Sequence, residues 1–151
     1  MVFQLISPAF SHKGIIPARY TCKGENLSPQ LQWADPPDGT ASFGLIMDDP
    51  DALIGTWVHW VFYNIPGNLK GLPEGVPSVQ AKNQYGVNGR NSWGKPGYGG
   101  PCPPAGTHRY FFKLYALDTL LDLPSGASKP DLIRSMQKHI LAETELMGTF
   151  S

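Results

Sequence analysis

The stretch Thr56-Trp57-Val58-His59-Trp60-Val61-Phe62-Tyr63-Asn64-Ile65 decides the fold. It is a β-branched and aromatic run with turn residues at both ends, Gly55 before it and Pro66 after it, which is the pattern of a buried strand. Upstream lies Asp48-Asp49-Pro50-Asp51, a stiff turn at the end of a second apolar run, Ser42 to Met47. Further along, Gly99-Gly100-Pro101-Cys102-Pro103-Pro104 leads through Gly106-Thr107 into His108-Arg109-Tyr110 and a third run, Tyr110 to Leu117. In both places a histidine follows a rigid turn and opens an aromatic strand, so the fold can bring His59 and His108 to one strand-end pocket.

Working outward, Phe3 to Ser7, Gln30 to Trp33 and Met147 to Phe150 read as further strands. Seventeen Gly and fifteen Pro against few helical patterns argue for short strands joined by turns, a mostly β chain of sandwich or barrel type. One helix is expected, Ser128 to about Ala142. Pro130 sits in its first turn, Asp131 complements its dipole, and Leu132, Ile133, Met136 and Ile140 form an apolar stripe. The Gly/Pro-rich stretch Asn83 to Gly106 has core-like runs on both sides and reads as a long functional loop.

With 151 residues, 41% of them hydrophobic, residues 1–151 are expected to form a single domain that buries its own core. Twelve basic and twelve acidic side chains cancel, and no Lys/Arg run occurs, so the electrostatic footprint of a nucleic-acid or anionic-membrane binder is missing. No apolar segment reaches 18 residues, and the opening MVFQLISPAFSHKG lacks the features of a signal peptide. The expected location is therefore the cytoplasm. In that compartment Cys22 and Cys102 are expected as two free thiols.

Period-two alternation places Trp57, His59, Val61 and Tyr63 on one face of their strand and Val58, Trp60 and Phe62 on the other. The same rule groups His108, Tyr110 and Phe112, and turns Arg109 away toward a carboxylate behind the site or the surface. Alone, each histidine would be a packed imidazole satisfied by a carbonyl. Together, with Asp49 and Asp51 just upstream of His59, they make a shared polar pocket. A carboxylate there could fix a tautomer, share a proton with a phosphate or receive an ammonium group. The Gly99 to Pro104 run keeps side chains away, so backbone N–H groups, that of Cys102 among them, are free to aim at an anion. His12 and His139 have no such context and are read as surface residues.

Several segments together resemble the phosphatidylethanolamine-binding protein family, in its bacterial and archaeal Raf kinase inhibitor-like branch. They are Tyr20-Thr21-Cys22, Gly24-Glu25-Asn26, Ser28-Pro29, the Asp49-Pro50-Asp51 run, Gly55 to Trp60, Asn64-Ile65-Pro66, Gly97 to Pro104, His108-Arg109-Tyr110 and Leu114 to Asp118. The resemblance implies two antiparallel sheets packed as a Greek-key-like sandwich with a few short peripheral helices. It also implies a pocket for phosphate or a phosphorylated head group at Asp49, Trp57, His59, the Cys102 backbone, Pro104, His108 and Tyr110. Asp51 joins these as a candidate from the turn itself. No cofactor and no metal are expected. The implied partners are a small phosphorylated ligand or inorganic anion and a kinase or protease, and a homodimer stays open. One departure stands out: Ala52-Leu53 replaces the family's usual Ala-Pro, so a trans bond is expected where relatives often have a cis proline.

Two enzymatic alternatives use the same residues. Asp49, His59 and His108 are the set of a two-histidine, one-carboxylate metal site, although such sites draw on a His-x-His strand and position 57 is Trp57. Cys102 with His108 as base and Asp49 or Asp51 as orienter would make a cysteine hydrolase. No nucleophile, base and orienter fall in a recognised catalytic spacing, and a non-enzymatic binding protein is expected.

Overall fold

A computed structural model describes residues 2–151 and shows two antiparallel sheets. The strands are β1 (Gln4–Ile6), β2 (Leu31–Ala34), β3 (Ser42–Asp49), β4 (Trp57–Pro66), β5 (Gly71–Leu72), β6 (Lys82–Asn83), β7 (Gly86–Asn88), β8 (His108–Leu117) and β9 (Ile140–Phe150), with one helix, α1 (Lys129–Met136), and a 3-10 turn at Ala18–Tyr20. The small sheet has the order β1-β2-β5 and the large one β6-β7-β4-β3-β8-β9.

The core lies between the sheets. Leu5, Leu31, Trp33 and Leu72 from the small sheet meet Phe43, Leu45, Phe62, Phe112 and Leu114 from the large one. A second cluster covers the outer face of the large sheet, where Leu132 and Met136 of α1 pack on Ile46, Val61 and Tyr63. A Cβ at Gly44 would sit 2.9 Å from the Met136 sulfur, so the missing side chain is what lets the helix approach β3. The Tyr63 hydroxyl donates to the Pro124 carbonyl and anchors the loop ahead of α1. Burying Tyr63 there pushes its phenol up from the ordinary value.

The helix is shorter than its sequence pattern suggests. Its start is a capping box: Ser128 Oγ accepts from the Asp131 amide at 3.3 Å and Asp131 Oδ2 accepts from the Ser128 amide at 3.1 Å. Its end comes at Met136, because Gln137 leaves helical geometry and Lys138 takes φ +70°. From Ile140 the chain is already paired with β8, so Ile140 extends β9 instead of the helical stripe. Ile133, also assigned to that stripe, is 40% exposed. The Asn83 to Gly106 stretch is likewise not all loop, since β7 pairs with β4 at Tyr63 and Phe62.

A third correction concerns β4. Met47 is opposite Trp60 and Asp48 is opposite Val58, so His59 is an extra residue in the ladder. A bulge of this kind shifts the alternation by one residue. Trp60 and Phe62 therefore join His59 on the inner side, while Val61 and Tyr63 pass to the helix side, opposite to strict period-two reading.

Candidate functional site

The turn after β3 distributes three acids to three tasks. Asp48 faces the helix side and is buried, with the ammonium groups of Lys129 and Lys113 at 2.7 and 3.4 Å from Oδ2. Asp49 faces inward; its Oδ1 accepts from the Asp51 amide at 2.8 Å, which closes the turn, and its Oδ2 accepts from His108 Nδ1 at 2.7 Å. Asp51 turns back to Arg109, taking its Nε, its Nη2 and its backbone amide, each at 2.9 Å. The Arg109 guanidinium, hydrogen-bonded to both carboxylate oxygens, holds the Asp51 carboxyl down to about 2. Asp51 was a candidate ligand residue by sequence, but this fork engages both its oxygens, and it does not line the pocket. Arg109 has the structural role expected of it.

His59 donates from Nδ1 to the Gly99 carbonyl at 2.7 Å, and a carbonyl can only accept, so the hydrogen of the neutral ring sits on Nδ1. His108 directs its own Nδ1 to Asp49. Neither Nε2 has a partner among the described residues, yet no buried side-chain nitrogen or oxygen there is left unpaired. Both Nε2 atoms are therefore open, and the cavity that both rings line receives them. Burial pushes the His59 pKa down, against the raising effects of the Gly99 carbonyl and of Asp49. The neutral ring is favoured.

That cavity holds about 290 Å³, between Asp49, Trp57, His59 and His108 on the sheet side and Trp93, Cys102, Pro103 and Pro104 on the loop side. Ala52, Leu53 and Ile54 form its rim; the Ala52-Leu53 bond is trans, as expected, and Leu53 is 90% exposed. Tyr110 lies behind the histidines rather than in the cavity wall. Its ring is edge-on to His59 at 5.2 Å and stacked near His108 at 6.4 Å. Burial pushes its phenol well up, and Asp49 and Asp51 add to this. Among the described residues no three His, Cys, Asp or Glu side chains converge in a metal-holding group. His12 accepts from the Met147 amide at 3.1 Å and His139 pairs with Asp118 at 2.8 Å; neither reaches this cavity.

The lip corrects the expectation of free thiols. Cys22 and Cys102 are joined in a disulfide across 80 residues of sequence. The 20–26 segment crosses directly over the lip: the Cys22 amide donates to the Pro101 carbonyl at 3.1 Å, the Gly100 amide to Asn26 Oδ1 at 2.8 Å, and the Tyr98 hydroxyl to the Tyr20 carbonyl at 2.7 Å. Such crossing puts the two sulfurs in reach. A Cβ on Gly100 would lie 2.3 Å from the Tyr20 carbonyl, so only glycine permits this approach.

Trp93 was not singled out by the sequence, apart from its place in a loop read as functional. Its ring is 5.0 Å from His59 and 5.5 Å from Trp57, edge-on to both. Asn91 Oδ1 accepts from the Trp93 and Lys95 amides at 3.0 and 3.2 Å, an Asx turn that fixes the backbone carrying the indole.

Sheets, helix and pocket define a small β-sandwich protein with an inward-facing histidine pair at one strand end. The phosphatidylethanolamine-binding protein family model matches residues 6–151. The chain is 52% identical over 147 residues to a UPF0098 protein of Methanothermobacter thermautotrophicus, covering 97% of each, and 46% identical to one of Aquifex aeolicus, covering 99% of this chain and 88% of that one. Its fold matches a phosphatidylethanolamine-binding protein homologue, CT736, of Chlamydia trachomatis with TM-score 0.92 at 40% identity over 99% of this chain and 97% of the other. It also matches E. coli YbcL, described as a member of the mammalian family, with TM-score 0.90 at 31% identity over 99% and 98%. The chain belongs to the phosphatidylethanolamine-binding protein family.

Proposed function

We propose that this protein binds a small phosphorylated ligand or inorganic anion in the histidine pocket, without catalysing its conversion. The observation that carries the reading is the pair of open Nε2 atoms in one cavity, each ring fixed through its Nδ1. A protonated Nε2 donates to a phosphate oxygen, and a neutral one accepts from a P–OH group, so monohydrogen phosphate or a monoester suits the site in either state. Among the described residues no helix is long and apolar enough to cross a membrane, and the even charge balance favours local recognition of a head group over attraction to an anionic surface. A non-enzymatic role is supported by Cys102, whose sulfur is bonded to Cys22 and so is no nucleophile in this state. A regulatory partner, a kinase or protease acting through the sandwich surface, is the extension that the family resemblance supports.

Heteronuclear NMR titration tests the reading. Phosphate and phosphoethanolamine should shift signals around the pocket with Kd values of about millimolar to micromolar, because a few charge-assisted bonds offset only part of the association cost. In the double variant His59→Ala, His108→Ala the shifts should vanish. Unchanged phosphate binding by that variant would remove the site assignment.

A further inference from the structure

β9 is the end strand of the large sheet, and only part of its outer edge is covered. Over Met147 and Thr149 the chain caps its own edge. His12 Nδ1 accepts from the Met147 amide at 3.1 Å, and the Lys13 amide donates to the Met147 carbonyl at 2.6 Å. The Thr149 amide donates to the Gly14 carbonyl at 2.9 Å, and its carbonyl accepts from the Ile16 amide at 2.8 Å, with Ile15 bridged to Thr149 in parallel. Ahead of His12 the chain leaves this edge, since Phe10 is buried in the core between the sheets.

In an antiparallel ladder, residues that bond to one neighbour alternate with residues that bond to the other. Because Met147 and Thr149 bond away from β8, Glu143 and Glu145 aim their backbone groups the same way. There they meet no hydrogen-bond partner among the described residues. The open stretch is nonetheless fixed in place. Thr144 and Leu146 pair with Leu114 and Phe112 of β8, and Thr144 Oγ1 accepts from the Leu5 amide of β1 at 3.1 Å. The free N–H and C=O groups of Glu143 and Glu145, held at strand spacing, are a preformed template for another strand.

The side chains decide which strand. Glu143 and Glu145 are exposed and form no ion pair among the described residues. Lys113, directly opposite Glu145, directs its ammonium group to Asp48 instead. The two carboxylates border a trough of about 470 Å³ beside Lys113, Tyr115 and Thr144. Burial raises the Tyr115 phenol first, and Glu143, Asp48 and Glu145 raise it further, which marks this face as negative. A second copy of the chain, paired antiparallel about Thr144, would set Glu143 opposite Glu145 twice, and like charges directly opposite destabilise a sheet. A basic strand meets the reverse condition.

We propose that the open edge of β9, from Leu141 to Glu145, takes an extended segment of a partner protein as an added strand, with Lys or Arg at alternate positions beside Glu143 and Glu145. Backbone bonds hold the segment, and the two carboxylates select its charge.

NMR of the full chain with the peptide acetyl-Lys-Val-Lys-Val-Lys-Val-Lys-amide tests the proposal. In the free protein the Glu143 and Glu145 amides should exchange with solvent far faster than those of Thr144 and Leu146. Protection of all four would show the edge to be filled already and overturn the proposal. The peptide should bind with Kd of about 1 mM or below and slow exchange at Glu143 and Glu145 about tenfold near saturation. The same sequence with Glu in place of Lys should not bind, and the variant Glu143→Lys, Glu145→Lys should reverse the preference. Methylation of backbone nitrogens separates strand addition from charge attraction alone, because an added strand bonds along one edge only. Of two basic peptides, one methylated at every lysine backbone nitrogen and one at every valine backbone nitrogen, one should bind and the other should not. Equal behaviour of these two overturns the proposal, as does an absence of shifts at about 5 mM peptide or a preference for the basic peptide that survives charge reversal. A dimer in sedimentation whose formation protects Glu143 and Glu145 does so too, by giving the edge to a second copy.

Discussion

The two walls of the histidine pocket are built by different means. The sheet wall, Asp49, Trp57, His59 and His108, stands on β3, β4 and β8: Asp49 pairs with Trp57, His108 pairs with Phe150 of β9, and the bulged His59 is held between the paired Val58 and Trp60. The loop wall, from Gly99 to Pro104, has no strand of its own. It is held by contacts to a segment some eighty residues earlier: the disulfide, Asn26 to Gly100 and Tyr98 to Tyr20. A ladder distributes its support over many hydrogen bonds, whereas the lip depends on a few long-range ties. The lip nonetheless orients a sheet residue, because Gly99 supplies the carbonyl that holds His59. The pocket is only as ordered as its less redundant wall.

Breaking the disulfide should give the largest effect. A cross-link closing a span of 80 residues restricts the unfolded chain, which on the loop-entropy model contributes roughly 4 kcal/mol. Reduction, or the variant Cys22→Ser, Cys102→Ser, should lower stability by about that amount in urea melts. Phosphate affinity should fall with it, while amide signals of β3 and β8 away from the pocket stay in place. Lip signals that remained fixed after reduction would show that the hydrogen bonds alone hold this wall.

Asp49→Ala comes next and breaks the sheet wall. The buried Asp49 carboxylate accepts from both His108 and the Asp51 amide, so its loss leaves two donors without a partner. A charged hydrogen bond of this sort is worth about 1.5 to 3 kcal/mol. His108 should lose its fixed orientation, seen as exchange broadening of its ring signals, and phosphate binding should weaken. Asp51→Asn should do much less, about 1 kcal/mol or below, because the Arg109 pair is half exposed and screened. Equal effects of these two substitutions would mean that Asp51 serves the pocket after all.

The same contrast explains what was legible in the sequence. Five strands, β1 to β4 and β8, and the last residues of β9 from Met147 to Phe150 could be read from apolar runs between turn residues, and the grouping of His108, Tyr110 and Phe112 followed from simple alternation. The His59 bulge was not legible, since an extra residue in β4 shows only against its partner β3. The tail of α1 misled because Ile140 continues a helical stripe by chance of spacing while β8 captures it as a strand. The disulfide was missed because compartment, not geometry, decided the expectation. Trp93 carried no signal of its own beyond the Asn91 turn and the Gly99 against which it rests. Non-local ties leave few marks in a local pattern.

The smallest expected effect concerns pH and the two histidines. Burial lowers the His59 pKa in the folded protein, while in the unfolded chain an imidazole titrates near ~6.5. Above that value neither state carries the proton, and stability is at its full level. Between ~6.5 and the lower folded value the unfolded state binds more protons, so stability falls as pH falls through this window. An anion bound at Nε2 reverses the preference, because it favours the protonated ring. Saturating sulfate, which stays fully ionised over this range, should therefore flatten or invert the dependence of Tm on pH between 5 and 7, and its affinity should rise as pH falls. Phosphate should show a weaker trend, as it gains a proton over the same range. A His59→Gln variant should lose the His59 share of both slopes. If sulfate leaves the Tm profile of the wild-type protein unchanged, the anion does not contact the histidines, and the sheet wall serves packing rather than binding.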